Sequence, residues 1–179
     1  MKKSLAILLL LLLVVGCGTS EQAQKQPSGE TEQEAIAALE KLGAEIKTNA
    51  AGNILTLDLG DSEITDTDLV YLKGLKNLRR LYLHESKITD AGLIHLQGLT
   101  KLEDLLLDTT KISDASLVHL QGLPKLEGLY LDDTGITDAA IVNLKSLKNL
   151  EILSLSMTQI TDTGIGELQQ ALPNCEIDH

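Results

Sequence analysis

Three positions spaced 24 residues apart carry the side chains best suited to chemistry in this sequence, and that chemistry is non-covalent recognition. Tyr82, Leu106 and Tyr130 recur at this interval, in a chain that has three Tyr and no Phe or Trp. Tyrosine offers a large and rigid contact area at a small entropic cost, as residues that dominate binding interfaces do. We interpret the three residues as anchors for a partner. Packing that only stiffens a sheet is the alternative.

Charged side chains at the same interval surround these anchors. Asp104, Asp108 and Asp132 form a predicted acidic rim, and Arg80 and His84 relieve the negative charge at one end only. Carboxylates that face each other on neighbouring strands repel, and a cationic partner would relieve this repulsion. The pattern therefore predicts that all eight of these residues contact a protein or peptide, one that carries basic residues.

The sequence lacks the motifs of the common enzyme classes. It has no Gly-rich phosphate loop, no His-Glu-x-x-His and no pair of neighbouring cysteines. None of its four His stands beside a Ser or Cys that would suggest a nucleophile. We expect no enzymatic activity, no small-molecule substrate and no cofactor. A calcium site between Asp108, Asp132 and Asp133 is a weaker alternative, because calcium takes about six to eight oxygen ligands.

The interval of 24 residues reflects a unit that is repeated five times. The copies begin at Asn53, Asn77, Lys101, Lys125 and Asn149, and each reads approximately x-Leu-x-x-Leu-x-Leu-x-x-(Ser/Thr)-x-Ile-(Thr/Ser)-Asp-x-x-Leu-x-x-Leu-x-x-Leu. A period of about 20–29 residues with Leu-x-x-Leu-x-Leu is typical of a leucine-rich repeat solenoid. Such arrays offer a broad curved surface for binding.

The apolar spacing changes within each copy. Leu81 and Leu83 alternate with polar residues, as in a strand with one buried face. Leu93, Leu96 and Leu99 follow at intervals of three, as along one side of a short helix. The pattern predicts an α/β fold, a right-handed βα horseshoe with a parallel sheet on its concave face and short helices on its convex face.

Two polar columns are expected at the corners between strand and helix. The hydroxyl column consists of Ser62, Ser86, Thr110, Thr134 and Thr158, and we expect its hydroxyls to bond backbone groups of adjacent coils. The aspartate column follows a Thr or Ser directly before each helix and consists of Asp66, Asp90, Asp114, Asp138 and Asp162. Its position predicts helix capping, with each carboxylate at the positive end of a helix.

Both ends of the array need a cap, because an end coil would otherwise expose its apolar cross-section and a free strand edge. Residues 32–52 are expected to supply the first cap as a short helix and a strand. The five repeats occupy residues 53–173, and residues 174–179 are expected to add a last short strand.

The N-terminal segment is interpreted as a targeting signal. Lys2 and Lys3 precede an apolar run of 11 residues from Leu5 to Val15, which is too short to span a bilayer comfortably. The run ends in Val14-Val15-Gly16-Cys17, which resembles the lipobox of bacterial lipoproteins. This resemblance implies that residues 1–16 are a signal peptide, that the Cys17 thiol is acylated, and that the chain is cleaved before Cys17 and acylated on its new N-terminus. Residues 17–31 would then form a flexible tether. An ordinary cleaved signal, with Cys17 incidental, is the alternative.

The net charge excludes one class of partner. The chain carries a formal charge of −11, and without Lys2 and Lys3 it retains 13 basic against 26 acidic side chains. Proteins that bind nucleic acid concentrate basic charge on one face, so no nucleic acid partner is expected. Loose adsorption to anionic lipid is also disfavoured. The lipid on the N-terminus is the expected contact with a membrane.

The repeat itself resembles a known family. The run Lys87-Ile-Thr-Asp-Ala-Gly-Leu-Ile-His-Leu-Gln-Gly-Leu99 is similar to the repeats of cysteine-containing, ribonuclease-inhibitor-like leucine-rich proteins. It is closer to bacterial leucine-rich repeat lipoproteins with the same 24-residue unit. The resemblance implies protein binding by a lipid-anchored domain in the bacterial cell envelope. The anchor would sit in the outer membrane or on the outer face of the cell membrane, with a periplasmic or surface-exposed domain. A structural spacer or assembly component is the alternative.

Overall fold

Each repeat contributes one short strand, and the strands stack in the order of the sequence. The structure is a computed structural model that describes residues 32–179. Its single sheet has seven strands in the order β1 to β7. Their bounds are β1 Glu45–Thr48, β2 Ile54–Asp58, β3 Arg80–Tyr82, β4 Asp104–Leu106, β5 Gly128–Tyr130, β6 Ile152–Ser154 and β7 Glu176–Asp178. The predicted leucine-rich repeat solenoid is confirmed by this arrangement.

The sheet is parallel except at its first pair. β1 runs antiparallel to β2, whereas every later pair from β2 to β7 is parallel. The helix α1, Glu32–Lys41, lies at the same end and buries Ala35 and Leu39 completely. Together α1 and β1 cover the apolar face and the strand edge that the first repeat would otherwise expose.

The helical side of the solenoid consists mostly of 3₁₀ helix. The 3₁₀ segments are Asp68–Gly74, Gly92–Leu96, Asp114–Gly122 and Asp138–Ala140, and the α-helices on this side are α2, Ile141–Leu144, and α3, Asp162–Ala171. A 3₁₀ helix has three residues per turn, so leucines at intervals of three fall on one side. Leu93, Leu96 and Leu99 are accordingly buried against the strands. Among residues 32–179, no helix is long and apolar enough to cross a membrane.

The hydroxyl column bonds within its own coil. The hydroxyls of Ser86, Thr110 and Thr134 each donate to the carbonyl oxygen three residues earlier, at 2.5 Å. Ser62 and Thr158 do the same at 2.6 Å. The prediction that these hydroxyls join adjacent coils is therefore wrong. Each closes the tight turn after its own strand, where the carbonyl of that turn is the nearest acceptor.

The aspartate column is what joins adjacent coils. One carboxylate oxygen of Asp114 accepts the backbone N–H of Thr137 at 2.8 Å, and the other accepts its hydroxyl at 2.7 Å. The same pair of bonds runs from Asp66 to Thr89, from Asp90 to Ser113 and from Asp138 to Thr161. These carboxylates make no capping hydrogen bonds, although Asp114, Asp138 and Asp162 do lie in the first turn of their helices, as predicted. Hydroxyls do cap two of the helices, since Thr137 accepts from the N–H of Ala139 and Thr161 from that of Gly164.

A left-handed residue follows the strand in every repeat. Asp61, Glu85, Thr109, Asp133 and Met157 have φ between 51° and 58°. Residues with a side chain adopt this conformation at a cost of about 1–2 kcal/mol. The five positions are 24 residues apart, so the repeated turn requires the conformation whatever the side chain.

Candidate binding face

The sheet register places the three predicted anchors side by side. Tyr82 pairs with Leu106, and Leu106 pairs with Tyr130. All three side chains are half-buried on the concave face. Because neighbouring strands lie about 4.8 Å apart, the three side chains form one continuous row across β3, β4 and β5. The structure thus brings together the residues that the 24-residue spacing singled out.

A glycine determines how the end of this row is arranged. A Cβ atom at Gly128 would lie 2.6 Å from an oxygen of Asp104 and 3.3 Å from Cε2 of Tyr130. The Tyr130 ring and the Asp104 carboxylate therefore approach the backbone of β5 where a side chain would block them. Burial raises the pKa of Tyr130, and the charges of Asp104 and Asp108 raise it further. The Tyr130 hydroxyl consequently stays protonated and can donate a hydrogen bond.

Two arginines pair with carboxylates of the next coil, one of which belongs to the predicted acidic rim. Nε of Arg80 lies 3.0 Å from Oδ2 of Asp104, and a guanidinium nitrogen of Arg79 lies 2.7 Å from Oε1 of Glu103. The arginine side chains are about half exposed, so these pairs gain little stability in water. They do remove two carboxylates from the charge available to a partner at the N-terminal half of the face.

Asp108 and Asp132 are occupied by hydrogen bonds to the following coil. Oδ1 of Asp108 accepts the backbone N–H of Asp132 at 3.1 Å. Asp132 accepts the N–H of Ser156 at 2.6 Å and the hydroxyl of Ser154 at 2.7 Å on both oxygens. The two carboxylates therefore link coils as the aspartate column does. Sequence reasoning attributed their stacking to a partner, whereas the structure supplies internal donors.

Replacing Asp108 by Asn is expected to raise the free energy of unfolding at neutral pH. Burial raises the pKa of Asp108, and the charge of Asp132 adds to this effect. The folded state thus holds the proton more tightly than the unfolded state does, and stability falls as pH rises through the raised pKa. Asn stays neutral and its oxygen can still accept the Asp132 N–H.

The check is urea unfolding of both proteins at about pH 7 and about pH 3, which lies below the ordinary pKa of Asp. Asp108→Asn should raise the free energy of unfolding at the higher pH. It should have no such effect at the lower pH, where Asp108 is protonated in both the folded and the unfolded state. Glu127→Gln removes the same charge from an exposed position and serves as the control. A gain of equal size in the control would mean that net charge, and not burial, is responsible.

His84 packs on the backbone of the neighbouring strand end. A Cβ atom at Gly60 would lie between 2.1 and 2.7 Å from three atoms of the imidazole ring. Nε2 of His84 lies 3.9 Å from Oδ2 of Asp61, and the side chain is 29% exposed. Its Nδ1 is buried and has no hydrogen-bond partner within residues 32–179. His84 therefore fills the space above Gly60 and closes the N-terminal end of the concave face.

The structure adds two acidic residues that the sequence analysis missed. Ile152 is 41% exposed on the concave face, and the sheet register places Glu176 beside it and Asp178 beside Ser154. Adding one more period of 24 residues to the outward-facing positions 152 and 154 would have found both acidic residues. The strand pairs between β6 and β7 keep this period of 24 residues.

The convex face carries an aliphatic column of its own. Ile94, Val118 and Val142 are 50%, 49% and 73% exposed and occupy equivalent positions in successive coils.

Among the residues that the structure describes, no three His, Cys, Asp or Glu side chains lie close enough together to bind a metal ion.

Comparison with known families and structures agrees with the fold. A family described as "Leucine rich repeat" matches residues 53–112, and a second, described as "Leucine Rich repeat", matches residues 146–168. A leucine-rich repeat protein of Leptospira interrogans is 24% identical, with a TM-score of 0.52 over 71% of this chain and 37% of its own. No curated protein matches the chain.

Two further structures extend the comparison. The Arabidopsis receptor kinase HAESA, in complex with the peptide hormone IDA and the co-receptor SERK1, is 14% identical, with a TM-score of 0.50 over 74% of this chain and 26% of its own. An internalin of Listeria monocytogenes is 19% identical, with a TM-score of 0.45 over 87% of this chain and 56% of its own. The chain thus spans from about a quarter to just over half the length of these three structures. Its repeats, its stacked sheet and the two family matches together show that the chain has the leucine-rich repeat fold.

Proposed function

We propose that this chain is a non-enzymatic binding protein, anchored in a bacterial cell envelope by a lipid on Cys17. Its concave face would take up a protein or peptide, with Tyr82, Leu106 and Tyr130 as central anchors. The observation that carries this proposal is the continuous, half-exposed row that these side chains form across three strands. The leucine-rich repeat fold is typically an interaction scaffold, and the HAESA complex contains a peptide hormone.

The anchor is proposed from the sequence, since Cys17 and residues 1–31 lie outside the described part of the chain. Cleavage before Cys17 would leave a lipid-bearing N-terminus followed by a polar tether. Several acyl chains hold a protein stably at a membrane, whereas one chain gives only reversible binding. Such an anchor would place the domain in the periplasm or on the cell surface.

The test compares binding by the wild-type chain and a Tyr82→Ala/Leu106→Ala/Tyr130→Ala variant. Each protein is expressed in the native host with Cys17 in place, cross-linked and purified with its partners, which mass spectrometry identifies. The partner is then purified and titrated against both proteins. Loss of the three anchors is expected to weaken affinity at least tenfold, which corresponds to about 1.4 kcal/mol.

A variant of the opposite face provides the matched control. Ile94→Ala/Val118→Ala/Val142→Ala removes three exposed apolar side chains from the convex face and should bind as the wild type does. Circular dichroism establishes that both variants are folded. A partner that is lost by the convex variant and retained by the concave one would contradict the proposal.

A structural spacer or assembly component is the second candidate. It is favoured by the internal bonds of the rim, since Asp104 pairs with Arg80, and Asp132 bonds to Ser154 and Ser156. These carboxylates therefore have partners within the fold and need no bound molecule to offset their charge. The same experiment separates the two functions, because a spacer would capture no protein that depends on the row of anchors.

A further inference from the structure

We propose that the C-terminal end of the concave face holds a subsite for one Lys or Arg side chain of the bound polypeptide. The subsite is the hollow between Tyr130 and Asp178, with Ile152 and Glu176 along its side. This inference rests on the proposed function and refines it. The subsite lies apart from Asp104, Asp108 and Asp132, the carboxylates for which the sequence analysis predicted contacts with basic residues.

A short side chain creates the hollow. Along this column of the sheet the register aligns Tyr130 on β5, Ser154 on β6 and Asp178 on β7. Ser154 is 7% exposed, and its hydroxyl donates to both oxygens of Asp132. In this column, therefore, no large side chain of β6 fills the space between Tyr130 and Asp178. The space that remains measures about 420 Å³ and is lined by Tyr130, Ile152, Ser154, Glu176, Ile177 and Asp178.

The lining is apolar on one side and acidic on the other. Ile152 is the most exposed apolar side chain of the sheet strands, and Ile177 and the Tyr130 ring are half-buried beside it. Glu176 and Asp178 are exposed, and neither side chain has an ion pair or hydrogen bond within residues 32–179. A space of this size lies within the range of small-ligand sites, about 300–1,000 Å³.

The charge of the concave face is uneven along the solenoid. Arg79 and Arg80, at the start of β3, pair with Glu103 and Asp104, at the start of β4. No basic residue occupies the corresponding positions at β5, β6 or β7. Glu127 and Glu151 directly precede β5 and β6, and Glu176 is the first residue of β7. The C-terminal end of the face therefore offers a cationic group carboxylates that no arginine pairs with.

A lysine or arginine side chain matches both halves of the lining. Its aliphatic stem can lie on Ile152 and the Tyr130 ring while its charged end stays at the open, solvated side. The carboxylates of Glu176 and Asp178 can accept hydrogen bonds from that end, and an aromatic ring adds a cation–π contact. A metal ion fits less well, because two carboxylates offer too few ligands for calcium.

The test is an NMR titration of the mature chain carrying Cys17→Ser, in about 0.1 M salt. The probes are N-acetyl-arginine amide and the neutral analogue N-acetyl-citrulline amide, which has nearly the same shape. The arginine probe is expected to shift the Ile152 methyl and Ser154 amide signals at millimolar concentration. The citrulline probe should bind at least threefold more weakly. Equal binding of the two probes would overturn the proposal.

Two variants that remove the same charge localise the effect. Glu176→Gln/Asp178→Asn should abolish the preference for arginine over citrulline. Glu40→Gln/Glu45→Gln removes two exposed carboxylates at the opposite end of the solenoid and should leave it unchanged. Equal loss in both variants would mean that overall charge attracts the probe, and the subsite would be rejected.

The outcome is independent of the partner experiment. A titration that fails while a partner still depends on Tyr82, Leu106 and Tyr130 rejects the subsite and leaves the binding function in place. A titration that succeeds while no partner is captured keeps a cation-binding hollow and rejects the wider function.

Discussion

Replacing Asp114 by Ala is expected to lower the free energy of unfolding by about 3 kcal/mol, because it breaks the link between two central coils. The Asp114 carboxylate accepts both the backbone N–H and the hydroxyl of Thr137. Hydrogen bonds to a charged group contribute about 1.5–3 kcal/mol, and a donor left unsatisfied in a partly buried place adds its own cost. Two bonds are lost together here.

The loss should be distinguishable from the loss of a helix cap. Ser113 is the cap residue of the segment Asp114–Gly122, and its side chain makes no capping bond. Asp162 occupies the same column at the start of α3, and its carboxylate accepts no hydrogen bond from another coil within residues 32–179. Asp162→Ala should therefore cost only the interaction with the helix dipole, about 0.3–1 kcal/mol. Asp114→Asn keeps one acceptor and should fall between the two.

The measurement is equilibrium urea unfolding of the three variants and the wild type under one set of conditions. The slope with denaturant must also be compared, since solenoids can lose cooperativity when one interface weakens. If Asp162→Ala destabilised the chain as much as Asp114→Ala does, helix capping would explain the column after all.

Replacing Cys17 by Ser is expected to remove the protein completely from the membrane fraction. Serine has no thiol to carry the acyl chains, and each buried methylene of an acyl chain contributes about 0.8 kcal/mol to membrane binding. The rest of the mature chain cannot replace the lipid as a membrane contact. Without Lys2 and Lys3 it carries 13 basic against 26 acidic side chains, and anionic lipid would repel it.

The measurement combines metabolic labelling with an alkyne fatty acid and fractionation of the native host. The wild type should be labelled and membrane-bound, whereas Cys17→Ser should be unlabelled. Ser20→Ala, three residues further along, is the matched control and should behave as the wild type does. A membrane-bound, unlabelled wild type would show that Cys17 is incidental and would remove the lipid anchor from the proposed function.

The order of the concave side chains could be read from the sequence because it depends on local periodicity. Leu81, Leu105 and Leu129 are fully buried and pair with one another, as alternation at period two requires. Once the inner residues are fixed, the residues between them must face outward, so Tyr82, Leu106 and Tyr130 had to form a row. The spacing of three on the helical side likewise anticipated a stripe, although not the 3₁₀ geometry that produces it.

The bonds of the polar groups could not be read in this way. A hydroxyl or carboxylate has several acceptors or donors within reach along its own coil, and others at a separation of about one repeat. Thr110 bonds within its coil, whereas Asp114 reaches Thr137, 23 residues away. The choice depends on differences of a few tenths of an ångström in how adjacent coils stack, and hydrogen-bond strength falls steeply with distance and angle.

The sequence by itself therefore determined the solenoid, its parallel sheet and the row of anchors, since the period of its leucines requires one buried side for every coil. Only the tertiary structure decided which charges remain free. Arg80 pairs with Asp104, and Asp132 bonds to Ser154 and Ser156, while Glu176 and Asp178 stay open at the far end. Charge compensation acts between side chains of different coils, and their separation in space is fixed only when the coils have stacked.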